Sequence, residues 1–113
     1  MDSKQLSWSD FEKVDIRVGT VMEALDFPEA RKPAYKLYID FGAPIGVLKT
    51  SAQITKLYAK ESLIGQQLVA VVNFPEKQIA NFKSQCLVLG AVNKDEVTLL
   101  QPMSKVHNGL KIS

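Results

Sequence analysis

The chain has 113 residues, 46% hydrophobic and 23% charged, with a formal net charge of +2. That length allows one domain over 1–113 and a core with little to spare, since small domains leave much of their surface wet. No apolar run reaches the roughly 20 residues of a membrane-spanning helix, and the stretch 1–5 lacks the basic-then-apolar pattern of a secretory signal. The expectation is a cytoplasmic protein with no membrane insertion.

The first element is short. Ser7 or Ser9 is suited to cap a helix carrying Asp10 or Glu12 in its first turn. Trp8 and Phe11, three apart, would then share a face and pack together. Val14–Val18 alternates apolar and charged residues, as a half-buried strand does. The apolar phase shifts after Gly19-Thr20, which suggests a β-bulge there. Two prolines make 27–33 a loop. The next strand places Tyr35, Leu37, Ile39 and Phe41 on one face and Lys36, Tyr38 and Asp40 on the other. A turn over 42–46 leads to a third strand, Val47–Ser51.

Residues 53–62 have helical spacing, with Ile54, Leu57 and Tyr58 at i, i+3 and i+4. Leu68–Val72 is a continuous apolar run suited to a strand buried on both faces. A turn over 73–77 follows, then a fifth strand at Cys86–Leu89 ending at Gly90. Val97–Leu100 is a further short strand. The tail, 106–112, alternates again and reads as an edge strand. Three strands, a short helix and two strands make the order of an all-β five-stranded OB-fold Greek-key barrel. N- and C-terminal extensions fall at about 1–13 and 101–113. A split β-barrel of another topology is the alternative.

Charge is unevenly spread. Arg31, Lys32, Lys36, Lys49, Lys56 and Lys60 lie in a stretch whose one anion is Asp40. Such asymmetry suits a face that meets an anionic partner, or a solvated lysine surface. OB barrels bind ligands on strands 2 and 3 and the adjoining loops. Those strands carry Lys36, Tyr38 and Lys49, and the preceding loop carries Arg31 and Lys32. Cations neutralise phosphates and aromatic rings stack on bases, so this is a candidate nucleic-acid face.

Catalytic signals are weak. Cys86 is the one cysteine and His107 the one histidine, which excludes a structural zinc site. Cys86 sits in an apolar run and reads as a core thiol, and His107 lies in a polar tail. The acids are isolated; Asp15 and Asp40 read as sheet-surface partners for Arg17 or a lysine. No cofactor, metal or catalytic residue is expected, and no enzyme activity.

The stretches FEKVDIRVGTV, ARKPAYKLYIDFG, TSAQI, VNFPEKQIANFKSQCLVLGA and LLQPMSKVHNGLKI together resemble the CsaA family. That family belongs to the tRNA-binding-domain group of OB folds, and the likeness runs from about residue 10 to 112. It implies a cytoplasmic homodimer. It also implies a secretion-related chaperone that binds unfolded precursor proteins and the export motor ATPase. The wider group binds the tRNA elbow by shape, partly through a Ser-x-Gly-Met motif. Here the matching residues are Ser84-Gln85-Cys86-Leu87, a departure that weakens RNA binding at that spot and suits the CsaA branch. The resemblance carries Arg31, Lys32, Lys36, Asn73 and Ser84 over as binding residues.

Two functions follow. A chaperone needs an apolar groove, for which Phe74, Phe82 and Leu87 are candidates, flanked by cations. A tRNA-binding module accounts for the basic face directly. Trp8, Phe11 and the tail through Ile112 lie outside a minimal barrel. They pack either on that barrel or on a second copy of the chain.

Overall fold

The computed structural model describes residues 4–113, so the first three residues of the N-terminal stretch weighed as a signal lie outside it. The chain first forms α1, Trp8–Glu12, whose N-cap Ser7 accepts a hydrogen bond from the Asp10 amide at 3.1 Å. Phe11 packs on the barrel, but Trp8 is 86% exposed. The expected Trp8–Phe11 pairing is therefore corrected: one turn of helix lies too far out for Trp8 to reach the barrel.

The strands β1 (Ile16–Asp26), β2 (Tyr35–Asp40) and β3 (Val47–Ala52) form an antiparallel meander. The chain then runs through α2 (Lys60–Leu63), β4 (Gln67–Val71), β5 (Lys77–Ile79), β6 (Phe82–Ser84) and β7 (Leu87–Val88). It finishes with the hairpin β8 (Gly90–Asn93) and β9 (Glu96–Leu99). The main sheet has the order β3-β2-β1-β4-β7. It curls into a nearly closed five-stranded antiparallel barrel of the OB type.

The bulge lies later than expected. Pairing is regular through Gly19↔Leu68 and Thr20↔Gln67, and the register slips between Val21 and Glu23. Gly19 serves a different need. A Cβ there would lie 2.6 Å from Ile39 Cγ2 and 2.8 Å from the Phe41 ring, so the strand crosses the core where no side chain fits.

The barrel interior is filled by Val21, Leu37, Ile39, Phe41, Leu63 and Leu68. Each such side chain contributes about 1.5–3 kcal/mol by burial. On β4, Leu68 and Ala70 face this core. Val69 and Val71 face a second cluster, covered by Phe11, Val14, Val106 and Ile112. The tail thus belongs to the barrel. The Gly109 and Ile112 amides donate to the Val18 and Ile16 carbonyls at 2.7 and 2.8 Å, and the Val18 amide donates to Leu110 O at 3.0 Å. Buried Gln67 exchanges hydrogen bonds with the Val106 backbone at 2.6 and 3.1 Å. Thr20 Oγ1 donates to Asn108 Oδ1 at 2.7 Å. Of the two packings open to the tail, Ile112 takes the one on its own barrel.

The helix expected over 53–62 is replaced by a turn at 55–57 and the short α2. Tyr58 is held at both ends: its carbonyl accepts from Tyr35 Oη at 2.7 Å and its hydroxyl from the Leu99 amide at 3.0 Å. These anchors stretch the segment across the barrel end and leave Leu57 exposed. Local propensity yields to tertiary contacts here. The hairpin β5–β6 and the pairing of β8 with β9 were not foreseen either. The fifth strand is reduced to Leu87–Val88.

Candidate functional site

Two surfaces meet at the β5–β6 hairpin. The first is the outer face of β2 and β3. Tyr38 and Lys49 are cross-strand partners there, and Lys36 pairs with Ser51. Phe82 lies against this face, 6% exposed, edge-on to Tyr38 at 6.5 Å and to Phe27 at 5.5 Å. Lys36 Nζ stands 5.4 Å from the Phe82 ring centre and 4.9 Å from that of Phe27. Lys49 Nζ stands 5.0 Å from the Phe82 centre. Cation–π attraction of about 0.5–1 kcal/mol each holds two ammoniums over one aromatic cluster.

Neither ammonium forms an ion pair with a carboxylate among the described residues, and nor do Arg31 and Lys32. The other two cations of the basic stretch are taken up. Lys56 pairs with Asp95 at 3.5 Å and Lys60 with Asp26 at 2.6 Å. The hydrogen bond to Asp26 raises the Lys60 pKa above its usual value. Asp15 pairs with Arg17 at 2.6 Å, as its strand position suggested. Asp40 differs from that expectation: it accepts the Gly42 amide at 2.8 Å and so shapes a turn.

The second surface is a groove of about 1210 Å³ between the β1–β2 loop, β3, the β5–β6 hairpin and the β8–β9 arm. Its apolar lining includes Ile54, Ile79, Val88, Leu89, Val97 and Leu99. Phe74 and Leu87, 54% and 49% exposed, stand at its edge. Cys86 lies in its wall, where burial pushes the thiol pKa up to about 12 against a smaller opposing pull from Thr50. Such a thiol is inert at neutral pH.

The barrel is closed beside the groove not by a strand ladder but by one backbone bond, Gln85 N–H to Lys49 O at 2.8 Å, and by side chains. Lys49 N–H donates to Gln85 Oε1 at 3.0 Å, and Ser51 N–H to Ser84 Oγ at 3.0 Å. Thr50 Oγ1 donates to Cys86 O at 2.6 Å. Gln85 Nε2 reaches on to Glu76 Oε2 at 2.9 Å, tying the groove's lip to the same seam.

The sequence-derived residues therefore separate. Lys36, Tyr38 and Lys49 share the outer face. Arg31 and Lys32 line the groove instead, with Phe74, Ser84 and Leu87. Phe82 does not line the groove: it is covered by the two lysines, a correction to its expected role there. Asn73 bridges backbone groups, accepting from Asp15 N–H at 3.0 Å and donating to Lys13 O at 2.7 Å. Ser84 and Gln85 are engaged in the seam. Lys77 is a groove residue that sequence reasoning missed. The signal was present in the alternation of Lys77-Gln78-Ile79 and Phe82-Lys83-Ser84 around Ala80-Asn81, a two-residue hairpin.

A five-stranded OB barrel with a cationic outer face matches what the comparisons show: the chain belongs to the family described as "Putative tRNA binding domain", matched over residues 16–111. More narrowly, it belongs to the CsaA family. The crystal structure of the chaperone CsaA from Bacillus anthracis str. Ames is 55% identical with a TM-score of 0.92, over 96% of this chain and 99% of that one. The CsaA chaperone protein of Picrophilus torridus is 54% identical with a TM-score of 0.91, over 96% and 100% of the two chains. The methionine–tRNA ligase of Pyrococcus furiosus is 34% identical over 107 residues, 95% of this chain. The chain spans only 14% of that ligase's length.

Proposed function

We propose that this chain is a non-catalytic binding protein, a chaperone that holds unfolded segments of precursor proteins in the export pathway. The observation that carries this reading is the groove: about 1210 Å³, with aliphatic side chains making up half of its lining and Phe74 and Leu87 half exposed at its edge. Small-molecule sites run about 300–1,000 Å³, so its size suits a chain segment better. Aliphatic walls bury apolar side chains without demanding a sequence, as a holdase requires. The likeness to two chaperones named CsaA supports the same reading. Export specificity, the export motor ATPase as a partner and a cytoplasmic location rest on the family resemblance. So does a homodimer, to which exposed Trp8, Leu6 and Met103 offer apolar surface.

Aggregation of a chemically denatured reporter protein, followed by light scattering, tests the chaperone reading. The chain should suppress aggregation near stoichiometric amounts, and Leu87→Asp should abolish the effect. Suppression that is unchanged in Leu87→Asp removes the groove from the mechanism.

One observation favours a second reading, the shape-selective binding of the tRNA elbow. Lys36 and Lys49 converge, without carboxylate partners, over one buried ring. Phe27 and Phe82 are buried on this face and only Tyr38 is partly exposed, so it offers charge to a phosphate backbone more than a platform for bases. Filter binding of tRNA across a salt series tests it. Affinity should fall steeply with salt, and a flat profile refutes the reading.

A further inference from the structure

The rim of the groove carries a charge pattern that its floor does not explain. Arg31, Lys32 and Lys77 all belong to its lining. None of the three is ion-paired within the described residues. The carboxylate that lines the same groove, Glu76, is engaged by Gln85 Nε2 at 2.9 Å. An apolar trough therefore opens beside three cations without ion pairs, and the one acid in its lining, Glu76, keeps its charge but is hydrogen-bonded within the chain.

We propose that the groove selects polypeptide segments in which an apolar stretch adjoins acidic residues. This rests on the polypeptide reading of the groove and names the class of segment it takes. The apolar stretch would lie along Leu87, Val88 and Leu99, where removal from water supplies most of the affinity. The acidic flank would meet Arg31 and Lys32. The Arg31 guanidinium presents a planar fork that matches a carboxylate with two parallel hydrogen bonds. Charges at a wet rim contribute little affinity each, yet they sort ligands by sign, because a basic flank meets repulsion where an acidic one meets attraction. Nucleic acid fits the groove less well. Single-stranded binders stack successive bases on aromatic rings, and Phe74 is the one aromatic side chain in this lining.

The test uses three labelled peptides with the same leucine- and valine-rich core, tailed with aspartates, serines or lysines. Binding to the full chain is read by fluorescence anisotropy at low and high salt. At low salt the aspartate-tailed peptide should bind about tenfold more tightly than the lysine-tailed one, the size expected of a few exposed charge pairs. High salt should close the gap by screening. The double variant Arg31→Ala, Lys32→Ala should erase it, and Lys105→Ala, in the tail, should preserve it. Equal binding of the acidic and basic peptides overturns the proposal while leaving the polypeptide reading intact. So does a gap that survives the double variant. Failure of all three peptides to bind, the serine-tailed one included, defeats the polypeptide reading itself. If Leu87→Asp then splits a dimer seen by light scattering, a second copy covers the groove.

Discussion

On the outer face of β2 and β3, Phe82 is covered and the half-buried Lys36 and Lys49 hold their charges over its ring. In the groove on the other side of the β5–β6 hairpin, apolar side chains stand open and the charges retreat to the rim. Phe82 and Phe74 show the contrast in one residue type. Phe82 is a prop: buried, it holds two ammoniums in place by its ring and packing. Phe74 is a contact: half exposed, it supports little of the fold and offers surface to a ligand. The difference teaches that an aromatic residue near a basic stretch does not announce whether it stacks on a ligand or organises the cations that meet it. Only what covers the ring decides.

The largest expected effect is on stability. Phe82→Ala should cost about 3–5 kcal/mol in urea unfolding, as buried Phe→Ala changes do, whereas Phe74→Ala should stay within about 0.5 kcal/mol. Similar losses in the two variants break the prop-and-contact distinction. Next, the double variant Lys36→Ala, Lys49→Ala should lower the salt slope of tRNA binding by about 1.4–1.8, as expected for two phosphate contacts. Peptide binding in the groove should not respond. If both activities fall together, the two surfaces are one.

A smaller effect sharpens the assignment of Asn73. Asn73→Ala removes two hydrogen bonds to backbone between α1 and β1, and should lower stability by about 1–2 kcal/mol in the same assay. Loss of RNA affinity at unchanged stability restores Asn73 as a contact. The last effect, confined to alkaline pH, comes from Cys86. Its folded pKa of about 12 lies above the usual 9.0, so the unfolded chain loses this proton first. The thiol's contribution to stability should be complete below about pH 9 and decline from there as pH rises toward 12. In Cys86→Ala, stability measured through pH 9–11 should fall less steeply than in the native chain.

Much of the fold was legible because strand periodicity is a local signal. The alternation of Tyr35 to Phe41 and the apolar run from Leu68 declare which faces are buried before any partner is known. Gly19 showed that the strand departed from simple alternation, although the bulge itself falls two residues later, where β1 leaves β4 for β2. The helix over 53–62 failed because Tyr58 is anchored by Tyr35 and Leu99, contacts more than twenty residues away that no window contains. The candidate site was legible as a set of residue types and not as a grouping. Arg31, Lys32, Lys36 and Lys49 read as one basic face, but the first two line the groove and the last two stand over Phe82 on the neighbouring face.

The sequence by itself determined the barrel class, the buried faces of β2 and β4, and the family, because hydrophobic period and motif spacing are properties of the chain alone. Tertiary structure decided which cations stay unpaired, that Phe82 lies under lysines, and that Ser84 and Gln85 close the barrel. Those outcomes depend on through-space distances between segments remote in sequence, which only the folded chain brings together.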